Sequence, residues 1–282
     1  MNLFAGLEKF GLKTGKDVDL YQEDKKEEKD RNQTEKAVEE HKEEDFILEK
    51  TMTCPVCDKT FKTKMVKNGK ARRMEPDIDL RPRHQYIDTL KYGVSFCPYC
   101  GYAALNRYFT HVTSGQIKLI KEQVCKNYKA GEPDHVSVWN YDTAIEMHKM
   151  ALFVAMAKKA RVSEKAYTCL MIAWLLRGKI EELTEDPLME ADVSELEKEE
   201  EEFYREAYDG LVKAMSSESF PICGMDTCTL DYLLAYMATH FKEYEVASKC
   251  LSRVLTSPNA SRKMKDISLE LKEEIIQQLR KK

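Results

Sequence analysis

The chain has 282 residues, of which 43% are hydrophobic and 33% charged, and its formal net charge is −4. This composition predicts a hydrophobic core inside a very polar surface, arranged as one large domain or two small ones. No apolar run approaches the roughly 18 residues that span a bilayer, and the start of the chain lacks a signal-peptide pattern. Nine cysteines without a secretion signal predict a cytoplasmic protein whose close Cys pairs bind metal or react, rather than forming disulfides.

Residues 1–45 are predicted to be an amphipathic N-terminus on a disordered acidic tether. In residues 17–50 the acids outnumber Lys and Arg two to one, and almost nothing is apolar before Phe46. Such a segment cannot bury enough apolar surface to offset its chain entropy. Ahead of it lies a short apolar island of Leu3, Phe4, Leu7, Phe10 and Leu12. The island is either a terminal helix packed on the body or a docking peptide.

Residues 46–112 contain two C-x2-C pairs, Cys54-Pro-Val-Cys57 and Cys97-Pro-Tyr-Cys100. Four thiolates on two tight turns are the set that a tetrahedral zinc ion needs, at about 2.3 Å from each sulfur. Strand-like residues precede both pairs, and Gly101 suits the positive φ that follows such a turn. The pattern predicts a zinc ribbon with a structural Zn2+, because four protein ligands leave no open position for catalysis. A site of four sulfurs does not exclude iron.

The tetrapeptide Cys97-Pro-Tyr-Cys100 also has the spacing of a redox-active dithiol, as in glutaredoxin-like enzymes. That function needs a nucleophilic Cys at a helix N-terminus in a βαβ fold, and no second βαβ half follows. The segment between the two pairs, residues 58–96, exceeds the roughly 15–20 residues usual for a ribbon. The metal site is favoured, with the extra residues as a separate loop.

A basic segment, residues 59–73, follows the first Cys pair without an acid after Asp58. Alternating residues around Asn68-Gly69 predict a β-hairpin there. Its basic side chains could neutralise phosphates, and Phe61 could stack on a base. The candidate nucleic-acid contacts are Lys62, Lys64, Lys67, Lys70, Arg72 and Arg73. A dense polar cluster at residues 77–84 is either a salt-bridged loop or a grip for an anion or peptide.

Residues 113–282 are predicted to be helical, because apolar and small residues recur with a period near 3.6. Three segments place residues that, apart from one His, are small or apolar at i, i+4, i+7 and i+8, which lets two helices approach closely. These residues are Ala144, His148, Ala151 and Leu152, then Ala207, Leu211, Ala214 and Met215, and finally Ala247, Leu251, Val254 and Leu255.

The segment that begins at Leu234 and Ala235 and continues through Tyr244, Ala247 and Leu255 resembles a tetratricopeptide repeat. The resemblance covers about residues 140–260, with an acidic insertion or helix extension at about 181–202. The fold class is therefore mostly α, with a small β zinc ribbon followed by a tetratricopeptide-like repeat domain. Such repeats bind peptides on the concave face of their first helices. Carried over by register, that face would hold Tyr167, Leu170, Trp174, Arg177, Tyr232, Tyr236 and Thr239.

The order of motifs, TCPVC, Asp77-Ile-Asp-Leu-Arg-Pro and CPYCGYAA, then repeat-like helices, resembles a bacterial family known only as a domain of unknown function. The family is found chiefly among Firmicutes, and the resemblance implies a fold and a metal but no activity. No catalytic triad, phosphate-binding glycine loop or open metal site is recognisable, so an enzyme is not expected. The favoured function is a zinc-binding scaffold for a protein partner. Nucleic-acid binding is the alternative, ahead of a thiol oxidoreductase.

Overall fold

The computed structural model describes residues 41–130, 136–185 and 193–280. The predicted amphipathic N-terminus and nearly all of the acidic tether lie outside the described residues. Where the predicted tether is described, Glu43–Phe46 forms a short 3-10 helix. Glu43 accepts hydrogen bonds from the Lys91 ammonium at 2.7 Å and from the Tyr92 hydroxyl at 2.8 Å. The folded unit therefore begins before residue 46, where the sequence placed the boundary.

Two antiparallel hairpins form the β module, and each carries a Cys pair at its tip. Strand β1 (Ile47–Thr53) pairs with β2 (Thr60–Val66), and β3 (Val94–Phe96) pairs with β4 (Ala103–Leu105). The expected hairpin around Asn68-Gly69 is wrong. The alternating residues before that turn form β2, which pairs with the preceding strand β1 and not with the residues after Gly69. In this register Phe61 and Thr63 are buried in the core.

Helices make up most of the described residues, so the predicted fold class is confirmed: a small β module followed by helices. They are α1 (Ser114–Ile120), α2 (Tyr141–Ala157), α3 (Val162–Glu185), α4 (Ser194–Ser217), α5 (Thr227–His240), α6 (Tyr244–Thr256) and α7 (Arg262–Arg280). A single π turn, Lys121–Cys125, continues α1. Side-chain caps begin several helices: Asn140 accepts from Thr143 N at 2.9 Å, and Asp226 from Thr229 N at 2.7 Å. Such caps satisfy backbone N–H groups that the first helical turn leaves unpaired.

The small residues read from the sequence do lie between helices. The i, i+4 and i+7 positions of all three segments are buried, from Ala144 to Val254. Helices α3 and α4 approach so closely at Gly210 that a Cβ there would lie 2.6 Å from the Ala166 Cβ. The acidic block at 181–202 is, where described, the end of α3 and the start of α4, which corresponds to the helix-extension alternative.

The larger of two hydrophobic clusters runs through both the β module and the helices. The two hairpin tips contribute Cys54 and Cys97, and the helices contribute buried residues such as Leu170 and Leu234 to the same cluster. Strands β3 and β4 pack directly on α2. Residues 41–282 form one compact unit, so the proposed boundary near residue 112 does not separate two cores. An ion bound by the four thiols would therefore stabilise the helices as well as the β module.

Candidate metal centre and partner surfaces

The two Cys pairs sit on turns of the same backbone design. Cys54 N bonds to Lys59 O at 3.0 Å, and Asp58 N bonds to Cys54 O at 2.9 Å. In the second turn Cys97 N bonds to Tyr102 O at 2.8 Å, and Gly101 N bonds to Cys97 O at 3.0 Å. The fifth position of each turn has a positive φ: +73° at Gly101, as expected, and +59° at Asp58. Asp is one of the few non-glycine residues that tolerate this conformation.

The four sulfurs converge on one point. All four Sγ atoms lie within 4.8 Å of one another. Two of the separations, Cys54 to Cys100 and Cys57 to Cys97, are both 3.7 Å. Tetrahedral zinc at about 2.3 Å from each thiolate requires an edge of about 3.8 Å, whereas a disulfide requires about 2.05 Å. The distances therefore fit a tetrahedral metal site, and all four cysteines are free thiols.

Burial and hydrogen bonding suit thiolate ligands at this position. Cys54, Cys97 and Cys100 are buried and Cys57 is half-buried. The Val56 N–H donates to the Cys54 sulfur at 3.4 Å, which stabilises negative charge there. Hydrogen bonds from neighbouring thiols lower the pKa of Cys97, whereas the pKa of Cys100 is raised because its proton is held in such bonds. Thiolate ligands must be deprotonated, so binding of a divalent ion here would release protons.

All four predicted metal ligands are thus brought together, from hairpin tips 40 or more positions apart in the sequence. The donor set can hold a metal ion, and four protein ligands would close its coordination sphere. Among the described residues these four cysteines are the one group of His, Cys, Asp or Glu side chains close enough together to hold a metal ion. A fifth thiol, Cys125 at the end of the π turn, lies beside Cys100 but is not part of the cluster. The sequence did not predict this neighbour, because it comes from a separate helix.

The segment at residues 77–84 is a salt-bridged loop inserted between helices. Asp79 is 1% exposed. Its Oδ2 accepts hydrogen bonds from Trp174 Nε1 at 2.8 Å, Arg177 Nη1 at 2.7 Å and the Tyr204 hydroxyl at 3.4 Å. Arg177 also contacts Glu200 at 2.6 Å. The Asp79 carboxylate therefore ties the loop to both α3 and α4.

The two arginines of the same segment bind the far end of α3. Arg81, 1% exposed, bonds to both oxygens of Glu181 at 2.9 and 3.2 Å. Arg83 bonds to both Glu181 oxygens at 2.8 Å and to Asp77 at 2.7 Å. These bonds lower the pKa of Glu181 against the opposing effect of burial and raise the pKa of Arg83. The charged side chains of this segment are therefore paired with one another and with α3, and not exposed as a site for an anion or a peptide.

The predicted concave groove is largely filled. Leu170, Trp174, Tyr232 and Thr239 are buried, so the structure contradicts their assignment to an exposed partner surface. The reason is that the loop around Asp79 and helix α7 cover this side of the helices. Of the remaining candidates, Tyr167, Arg177 and Tyr236 are half-buried. Arg177 is bonded to Asp79, and Tyr167 lies under the Arg107 guanidinium, 5.3 Å from the ring centroid.

The candidate nucleic-acid residues do not form one hairpin. Lys62 and Lys64 lie on β2, whereas Lys67, Lys70, Arg72 and Arg73 belong to the turn and loop that follow. Lys62 pairs with Glu49 at 3.0 Å, and the Lys67 ammonium donates to the Asp45 carbonyl at 2.9 Å. Phe61, the proposed stacking residue, is 4% exposed and packs edge-on against Phe109. Stacking on a base by Phe61 is therefore wrong, while binding by the exposed basic side chains stays a prediction.

Residues 47–275 match a family described as uncharacterized proteins conserved in bacteria, DUF2225. The chain belongs to this family. The sequence resemblance to an uncharacterised bacterial family is thereby confirmed. No curated protein and no solved structure significantly matches the chain. In the described ranges, no helix is both long and apolar enough to cross a membrane.

Proposed function

We propose that this DUF2225 protein is a non-catalytic scaffold, in which a structural zinc ion fixes the β module on the helices and the helical side binds a protein partner. The closed set of four thiols supports a structural role for the ion. The partner surface rests on one observation, an apolar groove with an acidic rim between the loop before Asp79 and helix α7. This groove takes the place of the concave face, which is covered.

The floor of the groove is apolar. The groove is a cavity of about 430 Å³ lined by side chains of the loop, of α5 and of α7. Its apolar lining comprises Pro76, Ile78, Leu80, Tyr232, Met264, Ile267 and Leu271. Ile78 is 63% exposed, and Met74 in the same loop is 53% exposed. Exposed apolar side chains grouped at one surface are typical of an interaction site.

The rim of the groove carries excess negative charge. Lys263 is paired with Glu75, and Asp77 is paired with Arg83. Glu270 and Glu274, one turn apart on α7, have no ion pair within the described part of the chain. Glu274 accepts a hydrogen bond from the neutral Gln278 amide at 2.9 Å, so both carboxylates keep their charge. An apolar floor beside these negative charges is complementary to an amphipathic segment that carries Leu-like side chains and Lys or Arg. The proposed occupant is therefore a basic amphipathic segment of a partner protein.

A synthetic peptide tests this groove directly. A fluorescein-labelled amphipathic helix of Leu and Lys should bind the full chain in fluorescence anisotropy, and the same peptide with Glu in place of Lys should not. Ile78→Asp and Glu270→Lys should each weaken binding by roughly tenfold or more. Glu273→Lys changes the same charge on an exposed position of α7 that does not line the groove, so it should bind as the parent does.

If Glu270→Lys and Glu273→Lys weakened peptide binding equally, the effect would come from the net charge of the protein. That result would contradict the proposal that the groove is the binding site. A dimer in sedimentation velocity that Ile78→Asp dissociates would identify a second copy as the occupant instead.

Metal analysis tests the zinc. Freshly purified protein should contain one equivalent of zinc, and Cys57→Ser should lower that content sharply. Cys125→Ser is the matched control, because this thiol lies beside the cluster without belonging to it. Protein without metal, or Cys57→Ser with full metal content, would overturn the site. Iron in place of zinc would change the ion but keep the ligands, and Cys97-dependent thiol reductase activity would revive the redox alternative.

A further inference from the structure

A second cavity, distinct from the groove and the metal site, opens beside the start of α3. Its volume is about 540 Å³, within the range of roughly 300–1,000 Å³ that small-molecule sites occupy. It is bounded by residues 107–116, by the first turn of α3, and by the tight turn that precedes α5. The lining contains two arginines and one histidine: Arg107, Arg161 and His111.

The tight turn holds Arg107 in place. Ile222 and Met225 exchange backbone hydrogen bonds of 3.0 and 2.9 Å. The two residues between them, Cys223 and Gly224, both have a positive φ, +50° and +79°. This is the backbone of a type I′ turn, and it points the Cys223 carbonyl toward the Arg107 guanidinium, which donates a hydrogen bond to it.

Neither arginine has a carboxylate partner among the described residues. Arg107 is bonded to a neutral carbonyl and lies over the Tyr167 ring. Arg161, just before α3, is exposed and forms no ion pair in the described ranges. A guanidinium has five N–H donors in a planar fork, so both side chains retain donors for a ligand.

The acids around the cavity are already committed. Glu164 forms an ion pair with the buried ammonium of Lys158 at 2.6 Å. Glu218 accepts from the Ser163 hydroxyl at 2.6 Å and from the Ser163 N–H at 2.9 Å. The Cys223 thiol donates to the Ser163 carbonyl at 3.2 Å, and burial raises its pKa, so it adds no negative charge. Glu218 keeps its negative charge, because its partners are neutral, but two guanidinium groups face this one carboxylate, so the charge left for a ligand is positive.

We propose that this cavity binds a small phosphorylated molecule, with its phosphoryl group between Arg107 and Arg161. Guanidinium groups match the oxygens of a phosphate bidentately, and such charge-assisted bonds are roughly twice as strong as neutral ones. The remaining volume accommodates the rest of a small metabolite.

Inorganic phosphate is the probe for this site. In isothermal titration calorimetry at constant ionic strength, adjusted with chloride, the full chain should bind one phosphate. Arg161→Gln should weaken this binding roughly tenfold, as expected for loss of a charge-assisted hydrogen bond. Arg262→Gln removes the same charge from an exposed position that does not line the cavity, and it should leave the affinity unchanged.

The proposal would be overturned by no phosphate binding above the chloride background, or by equal loss of affinity in Arg161→Gln and Arg262→Gln. Arg107→Gln is a second variant, checked by circular dichroism because Arg107 also braces the turn; a folded variant with unchanged affinity would equally refute it. Peptide binding at the groove should be unaffected by Arg161→Gln, so failure here and failure of the proposed function are distinguishable.

Discussion

Replacing Asp79 with Ala should destabilise the whole folded unit, although the residue lies in a loop. The carboxylate is buried and accepts from Trp174, Arg177 and Tyr204. Asp79→Ala removes the acceptor but leaves the donors where they are. Trp174 and Tyr204 are themselves buried, so water cannot easily replace the lost bonds.

The magnitude follows from these contacts. A buried donor left without a partner costs about 1–3 kcal/mol, and two are created. Arg177 retains Glu200 at 2.6 Å, which limits the loss from the broken ion pair. The sum is about 3–5 kcal/mol, similar to the cost of removing one partner from a buried pair. For a unit of this size, at roughly 2–4 °C per kcal/mol, the melting temperature should fall by about 10 °C.

The assay is urea unfolding followed by circular dichroism, with thermal melts in parallel. Asp266→Ala is the matched control, because Asp266 is exposed on α7 and has no ion pair in the part of the chain described here. It should stay within about 0.5 kcal/mol of the parent. If Asp79→Ala changed the free energy of unfolding as little as the control, the loop would not be a structural tie and the reasoning would fail.

Three further predictions concern pH, the covered face and nucleic acid. Burial lowers the pKa of His148 to about 4, below the roughly 6.5 of an unfolded histidine. The unfolded chain then binds more protons between these values, so His148 should remove about 2 kcal/mol of stability from pH 7 to pH 5. In urea titrations, the His148→Leu variant should lack this part of the pH dependence of the free energy of unfolding. An unchanged pH dependence in the variant would refute the assignment to His148. Trp174→Ala should cost about 3–5 kcal/mol of stability, and Tyr236→Ala clearly less, because Tyr236 is only half-buried. Thermal melts compare the two, and equal costs would contradict this difference in burial. If the basic loop binds nucleic acid, retention on heparin should fall with salt, and Arg72→Gln with Arg73→Gln should elute earlier; elution in the void at low salt would exclude this function.

The sequence by itself determined the features that depend on neighbours along the chain. Two-residue spacing on a tight turn brings Cys54 to Cys57 and Cys97 to Cys100, and a set of four thiols predicts a metal site. The positive φ at Gly101 was predictable for the same local reason. Helical period likewise identified the buried alanines, from Ala144 to Ala247, because residues four and seven positions apart share a helix face.

Only the tertiary structure decided which helix faces are covered by other parts of the chain. The repeat register places Trp174 of α3 and Tyr232 of α5 on one face, but it does not say whether that face meets solvent, a partner or the same chain. The segment around Asp79 comes from outside the helical part and occupies the face, and Arg81 pairs with Glu181 across 100 positions of sequence. Strand β2 similarly alternates correctly, yet its partner is β1 and not the residues after Gly69. These pairings depend on burial and ion pairing between residues that are distant in the sequence. Their energies are summed over the whole folded unit, so no local sequence pattern predicts them.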